Sequence, residues 1–343
     1  MLAALHIELQ TRAKNWQQPI QTLYFGGGTP SLLSAQEINA LWTTIEQHYT
    51  LAATMEVTLE ANPDDLTQEY VASLCATPIN RLSIGIQSFF EEDLLWMNRA
   101  HNAQQARECL EIAQAAGFHQ LTVDLIYGSP TTSQEQWAAN LAAVFELQIP
   151  HLSCYALTVE PNTALAHQIK TGKRAKVEDA HAAEQFDYLL EQVAANGYEQ
   201  YEISNFCLPP HYAQHNSNYW TGAPYLGIGP AAHSFDGQTR RWNVAHNPQY
   251  IKAVNNENQY WETELLSPQD QHNEYIMTAL RTKWGVNLKH LQQWGIEVEP
   301  QFEEQARKYL EREWMEKKGN TYVLTNQGKF LADAIISDFF WTD

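Results

Sequence analysis

Three consecutive glycines, Gly26, Gly27 and Gly28, follow the short apolar run Thr22–Phe25 and precede Thr29 and Pro30. Glycines in series let a backbone approach a ligand closely and take positive φ, so that main-chain groups can hydrogen-bond a charged small molecule. A plain tight turn has the same composition. Dinucleotide binding does not fit, because the third glycine of a GxGxxG pattern would fall at Ser31. Gly227-Ile228-Gly229-Pro230-Ala231-Ala232 matches GxGxxA by letter. No full strand leads into it, however, and Pro230 removes one of the amides that would bind phosphate.

The first glycine run gains weight from the residues at the ends of the strands that follow. Glu60-Ala61-Asn62-Pro63 closes the second expected strand, Gln87-Ser88 closes the third, and Asp124 lies within the fourth. Taken singly, each has the composition of a cap or turn. Together they predict a pocket, since parallel βα folds bind ligands at strand C-termini. His211 and His215 are four apart and could share a metal on one helical face, but Tyr212 stands where a zinc protease has Glu and no third ligand is evident. His233, Arg240 and Asn243 extend the polar lining of the aromatic segment around them, without an assignable role.

Positioning these groups requires a regular scaffold. Short apolar runs bounded by Gly, Pro or polar turns predict strands at Thr22–Phe25, Met55–Glu60, Arg81–Gln87, Leu121–Tyr127 and His151–Leu157. Helical periodicity lies between them, at 35–49, 67–75, 103–116 and 133–147, and resumes at 178–195. Ser34 with Glu37 and Ser133 with Gln136 are capping-box pairs, and Gly117 and Gly197 sit where helices should stop. The alternation predicts an α/β fold, a parallel sheet with helices outside, flat or curved into an open barrel. Residues 201–242 are aromatic, Gly-rich and irregular. After Pro268 the texture changes to helices at 271–282, 288–294 and 301–317, a strand at 321–325 and a last helix at 328–340, the pattern of a small winged-helix-like unit.

The chain has 343 residues, 44% of them hydrophobic, enough for a large core and a smaller second unit. Its 21 basic against 40 acidic residues give a net charge of −19, which repels nucleic-acid phosphates and anionic lipid. The winged-helix-like unit is therefore expected to pack or act as a lid rather than bind DNA. His6, Glu8 and Gln10 interrupt the opening residues, which predict an amphipathic helix through Leu2, Leu5, Leu9 and Ala13 rather than a signal peptide. No apolar run approaches the roughly 18 residues of a membrane span, so a cytoplasmic location is expected. Cys75, Cys109, Cys154 and Cys207 are scattered, with no CxxC or CxxxC pair.

At this point the chain resembles the radical S-adenosylmethionine superfamily, in the branch of oxygen-independent coproporphyrinogen oxidases and HemW. The resemblance rests on YFGGGTPSLL at Tyr24–Leu33, LEANPD at Leu59–Asp64, NRLSIGIQSF at Asn80–Phe89 and DLIYGSP at Asp124–Pro130. It continues with SCYALTVEPNT at Ser153–Thr163, YEISNF at Tyr201–Phe206, HNSNYW at His215–Trp220 and YLGIGPAAHS at Tyr225–Ser234, covering nearly the whole chain in order.

The resemblance implies a partial (β/α) barrel over residues 1–200, a family-specific segment over 201–265 and a winged-helix-like domain over 266–343. It also implies that Gly26, Gly27, Gly28 and Thr29 take the amino group of S-adenosylmethionine, with Glu60, Gln87, Arg99 and Asp124 on the same molecule. Acceptors suit that zwitterion's ammonium and ribose diol, and Arg suits its carboxylate. His215-Asn216-Ser217-Asn218-Tyr219-Trp220 matches the HNxxYW signature that in the HemW branch is linked to haem, with His215 as iron ligand and Tyr219 and Trp220 offering flat faces to a porphyrin. The same residues also suit a helix-start His packed among aromatics.

Members of this family hold a four-iron four-sulfur cluster on a CxxxCxxC loop that no part of this sequence matches. The resemblance thus implies either that about thirty residues carrying the loop and its strand belong upstream, or that the chain is a degenerate member. A second departure is Ser129-Pro130-Thr131-Thr132, where relatives have a Leu-Pro-Gly-Gln type of turn. The expectation is a haem chaperone that binds S-adenosylmethionine and haem and serves a haem-accepting protein. A coproporphyrinogen oxidase and a non-catalytic scaffold are the alternatives.

Overall fold

The computed structural model describes residues 1–161, 163–295 and 297–341. An amphipathic helix α1 (Leu2–Ala13) leads into strand β1 (Ile20–Phe25), and strands and helices then alternate. The series runs α2 (Ala35–His48), β2 (Leu51–Ala61), α3 (Gln68–Leu74), β3 (Arg81–Gln87), α4 (Glu91–Trp96), α5 (Ala103–Ala115), β4 (Gln120–Tyr127), α6 (Gln134–Glu146) and β5 (His151–Ala156). Both expected capping boxes form, Ser34 with Glu37 and Ser133 with Gln136. Gly117 and Gly197 take φ of 95° and 81° just past helix ends, a conformation costly for any residue with a Cβ.

Strands β1 to β5 pair in order and all in parallel. After α7 (Ala164–Lys170) and α8 (Asp179–Ala195), two short strands, β6 (Glu199–Gln200) and β7 (Asn205–Cys207), complete a seven-stranded sheet of order β1-β2-β3-β4-β5-β7-β6. The last two pairings are antiparallel. At two and three residues these strands are too short to show an alternation, which is why the sequence does not announce them. Strand β2 starts four residues before the expected Met55 because Leu51 pairs with Ile20 across an irregularity in β1.

Alternation along the strands separates two faces. Val57, Leu59, Leu82, Ile84, Ile86, Leu121, Val123, Leu125, Leu152 and Cys154 are buried in one cluster with Ile38, Val71, Leu110, Trp137 and Leu189 of the covering helices. The intervening residues, polar for the most part, face the other side.

That side is covered by α9 (Gln214–Trp220), by a three-stranded sheet of β8 (His233–Phe235), β9 (Thr239–Asn243) and β10 (Trp261–Leu265), and by α10 (Asn247–Asn255), which packs on α1. The remaining residues form a separate core around α11 (Pro268–Ala279), β11 (Val286–Asn287), α12 (Leu288–Leu291), α13 (Val298–Glu311), β12 (Met315–Lys318), β13 (Thr321–Leu324), α14 (Asn326–Phe330) and α15 (Ala332–Asp338). Two expectations are corrected here. Met315–Lys318 is a strand paired with β13 rather than the end of a helix. The last helix is split in two, and a Cβ at Gly328 would lie only 1.8 Å from the carbonyl oxygen of Trp314.

One buried acid fastens α1 to the covering segment. Glu8 is fully buried and accepts hydrogen bonds from Gly229 N and Asn243 Nδ2, each at 2.8 Å, and from the Tyr250 hydroxyl. Arg12 and Arg241 approach it at 3.8 and 4.0 Å. The Gly227–Ala232 loop is thus occupied in packing: Gly229 serves Glu8, and a Cβ at Gly227 would meet the His233 carbonyl oxygen at 2.0 Å. Removing the carboxylate leaves two largely buried guanidinium groups without their acid. Glu8→Ala should therefore lower the urea unfolding free energy by about 3–5 kcal/mol, and a loss below about 1 kcal/mol would show that the anchor lies elsewhere.

Candidate functional site

A cavity of about 670 Å³ runs along β1 between α1, α2 and the covering segment. Its floor near α1 is apolar, with Leu5, Leu9, Leu41 and Ile45. Its other end gathers Tyr24, Gly26, Gly27, Thr29, Glu60, His215, Tyr219 and Tyr225. Six of the expected site residues, Gly26, Gly27, Thr29, Glu60, His215 and Tyr219, therefore line one cavity.

The glycine turn is set by two different constraints. A Cβ at Gly26 would lie 2.7 Å from the Tyr24 ring and 3.2 Å from the Glu60 carboxyl carbon, so this position needs glycine for space. Gly27 and Gly28 take φ of 75° and 65°, and an added Cβ on either would meet no atom within 4 Å, so these positions need glycine for conformation. Glu60 closes the turn from β2: its Oε1 accepts from the Tyr24 hydroxyl at 2.8 Å and its Oε2 from Gly27 N at 3.1 Å. Burial, reinforced by the Glu60 charge, pushes the Tyr24 phenol well above its ordinary range, so its hydroxyl stays a donor.

His215 stands against the other side of this group. Its ring stacks on Tyr24 with centroids 4.8 Å apart and planes 18° from parallel. Nδ1 is 2.9 Å from the Thr22 hydroxyl and Nε2 3.1 Å from the Tyr219 hydroxyl. Glu56, two residues before Thr58 on β2, accepts from Gln214 N and His215 N, each at 2.9 Å, and so seats the start of α9 on the sheet. Desolvation lowers the His215 pKa to about 4, so the imidazole is neutral near neutral pH.

The other expected residues lie beside this cavity rather than on it. Gln87 ends β3 with φ of 66°, and its amide and the Arg99 guanidinium crowd Gly85, where a Cβ would come within 2.9 and 3.2 Å of them. Arg99 donates to Asn62 Oδ1 at 2.9 Å and Gly85 O at 3.2 Å, leaving its buried Nε without a protein partner. Asp124 shares this inner face, and enclosure raises its carboxyl to about 7; a Ser153 hydrogen bond opposes the rise, Glu60 adds to it, and Arg81 and Arg99 oppose it. Gly28 completes the turn, and Trp220 is carried on α9 outside the cavity lining.

The polar residues noted around the aromatic segment separate. His233 lines the cavity, Arg240 pairs with Glu274 at 2.7 Å, and Asn243 holds Glu8. His211 and His215 do not share a site: His211 Nδ1 faces Gln120 Oε1 at 3.2 Å, before α9 begins. The Ser129–Thr132 turn is tied to the β3 end through Asp93, which accepts from Thr131 at 2.6 Å and from Ser88 at 2.7 Å.

Family models match the chain twice, the radical SAM superfamily over residues 5–143 and the HemN C-terminal domain over residues 266–331. The heme chaperone HemW of Mycobacterium tuberculosis is 34% identical over 337 residues, spanning 98% of this chain and 85% of that protein. The chain belongs to the HemW family. The heme chaperone HemW of Lactococcus lactis is 32% identical, over 95% of this chain and 86% of its own length, and that of Bacillus subtilis is 30% identical, over 98% and 90%. The coproporphyrinogen III oxidase (HemN) of Escherichia coli, a radical SAM enzyme, superposes with a TM-score of 0.82 at 23% identity, covering 99% of this chain and 82% of that one, a likeness of fold.

The radical SAM superfamily implies S-adenosylmethionine and a four-iron four-sulfur cluster. The cysteines of this HemW-family chain do not fit the cluster. Cys75 is exposed after α3, Cys109 is buried on α5, Cys154 on β5 and Cys207 on β7, all free. Burial pushes the Cys109 and Cys207 thiols up to about 12 and the Cys154 thiol well above its ordinary range, whereas cluster ligands are thiolates. Among the described residues no group of three or more His, Cys, Asp or Glu side chains is placed to hold a metal.

The sequence did not single out Thr22 or Glu56, and Tyr24 stood in the YFGGGTPSLL motif without a role in the site. A further signal is parity: each lies an even number of residues from a recognised inner-face position, Thr22 and Tyr24 from Gly26, and Glu56 from Glu60.

Two measurements test this geometry. In an NMR titration of the protein, the His215 ring should protonate near pH 4; because the unfolded chain takes up that proton near 6.5, this group destabilises the fold as pH falls from 6.5 toward 4. A midpoint near 6.5 would mean that the ring is solvated. Anaerobic iron and sulfide reconstitution of residues 1–343 should yield no stoichiometric four-iron chromophore, and recovery of one would overturn the cysteine assignment.

Proposed function

We propose that this chain is a haem chaperone that holds haem through His215 and S-adenosylmethionine through the glycine turn, in one cavity. The observation that carries the reading is a neutral, stacked imidazole at the wall of a 670 Å³ cavity with an apolar floor, in a chain 34% identical to a heme chaperone over almost its full length. A porphyrin gains from apolar burial and one axial nitrogen, and this end of the cavity supplies both. Tyr219 and Tyr225 contribute flat aromatic surface beside His215. Trp220 is assigned to the same site by its place in the HNxxYW motif.

The residues also fit S-adenosylmethionine. Gly27 and Gly28 face open space, Glu60 offers a carboxylate to an ammonium, and Arg99 keeps a buried Nε free for an acceptor. Thr29 adds a hydroxyl at the turn, with Gln87 and Asp124 on the adjoining strands. In the superfamily this cofactor supplies a 5′-deoxyadenosyl radical when a cluster reduces it. Haem binding requires no such step. A chaperone of this kind would hand haem to an accepting protein, and a net charge of −19 disfavours nucleic acid as a partner. No helix among the described residues is long and apolar enough to cross a membrane. Residues 1–200 would form the cofactor-binding unit, 201–265 the haem-binding cover and 266–343 a packing domain. The oxidase reading draws on a likeness of fold at 23% identity and on the HemN C-terminal domain match over residues 266–331, which does not include His215.

Haem titration followed by absorbance tests the proposal. The wild-type chain should form a Soret-shifted complex, and His215→Ala should shift the band and weaken binding roughly tenfold or more, the loss of an axial bond worth about 1.4 kcal/mol or more. His48→Ala, at the exposed end of α2, should leave both unchanged. Identical spectra and affinity for wild type and His215→Ala would make the motif structural.

A further inference from the structure

Tyr24 stands between the two halves of this cavity. Its hydroxyl donates to Glu60, the carboxylate that also holds the glycine turn through Gly27 N. Its ring carries His215 at 4.8 Å, and it lies against Gly26, where even a methyl group would collide with it at 2.7 Å. We propose that Tyr24 is a coupling residue through which S-adenosylmethionine and haem weaken each other's binding. The proposal rests on the functional reading above and adds the regulation of that site.

Two displacements meet at this side chain. An ammonium group arriving at Glu60 competes with Tyr24 and Gly27 for the two carboxylate oxygens, and a charged donor makes the stronger bond. The phenol then loses its bond to Glu60. On the other side, Nε2 of His215 is engaged by the Tyr219 hydroxyl and Nδ1 by Thr22, so the imidazole reaches iron only after Tyr219 turns away. The stack on Tyr24 then holds the imidazole plane in place for ligation. Releasing Tyr24 from Glu60 loosens that stack and lowers haem affinity. By linkage, haem ligation that fixes Tyr24 on Glu60 lowers the affinity of the ammonium by the same factor. For a chaperone, arrival of the cofactor thereby favours release of haem.

Haem titrations of the full chain, without and with saturating S-adenosylmethionine, test this. Wild type should bind haem about fivefold or more weakly with the cofactor present, within the usual range of coupling between sites. Tyr24→Phe keeps the ring and the stack but removes the bond to Glu60, so its ratio should fall below about twofold, with an unchanged circular dichroism spectrum. Titrating S-adenosylmethionine into haem-free and haem-loaded wild type should give the same factor, as reciprocity demands. An equal ratio in wild type and Tyr24→Phe would show that simple crowding in the cavity, not Tyr24, opposes the two ligands. A wild-type ratio of one would remove the coupling and leave the functional reading intact, whereas a wild type that forms no Soret complex would overturn both.

Discussion

A parallel strand projects successive side chains to opposite faces, so a sheet covered on both sides must solve two packing problems with one sequence. Here the two solutions differ in kind. Val57, Leu59 and Ala61 on β2, Leu82, Ile84 and Ile86 on β3, Leu121, Val123 and Leu125 on β4, and Leu152 and Cys154 on β5 alternate along their strands and lie with the flanking helices in a continuous core. The alternate positions hold Glu56, Thr58 and Glu60 on β2, Arg81, Ser83 and Gln87 on β3, Thr122 and Asp124 on β4, and His151 and Ser153 on β5. Slipping β2 or β4 by one residue would bury acids against leucines, and slipping β3 would bury Arg81 and Gln87 there, so the apolar face holds the register that aims the polar one.

The polar face needs a cover that satisfies it without filling it. Deep in the sheet it is closed tightly: Arg81 donates to Thr122 at 2.6 Å, His151 bonds the Tyr201 hydroxyl at 2.7 Å, and Ser153 bonds Asn205 at 2.7 Å, all buried. Toward β1 the cover stands off, and the cavity opens between its aromatic residues and the glycine turn. Glu8 and Glu56 hold the two ends of this cover, one by anchoring the 229–250 region to α1 and the other by accepting the first amides of α9. A helix start carries unsatisfied N–H groups and partial positive charge, so a carboxylate from the sheet is an effective clamp there.

Much of this was legible locally. Strand β3 begins and ends at its expected residues because Asn80 and Ser88 flank an unbroken alternation, and α2 and α6 begin where their capping boxes place them. The glycine turn and Glu60 were visible because their chemistry is written in neighbouring residues. The antiparallel edge β7–β6 and the strand Met315–Lys318 were not, since their pairing comes from distant partners and their own residues carry no alternating apolar pattern. The same holds in the site: the contact of His215 with Thr22 spans 193 residues of sequence and the clamp by Glu56 spans 159. Such pairs exist only once the cover has folded over the sheet.

That dependence explains the state of His215. On an isolated helix of seven residues its imidazole would be solvated and would titrate near its ordinary value. Packed on Tyr24, with the Thr22 and Tyr219 hydroxyls at its nitrogens, the half-buried ring loses water on its stacked face, and the charged form is disfavoured because neither nitrogen is bonded to a carboxylate. The nearest acid on that side, Glu56, spends both oxygens on backbone amides, and Glu60 spends its two on Tyr24 and Gly27. Both acids are engaged by neutral donors, so the imidazole is kept neutral, with its two nitrogens held by the Thr22 and Tyr219 hydroxyls. A metal ligand must be deprotonated before it can bind, and this packing meets that condition for the haem ligation proposed for His215.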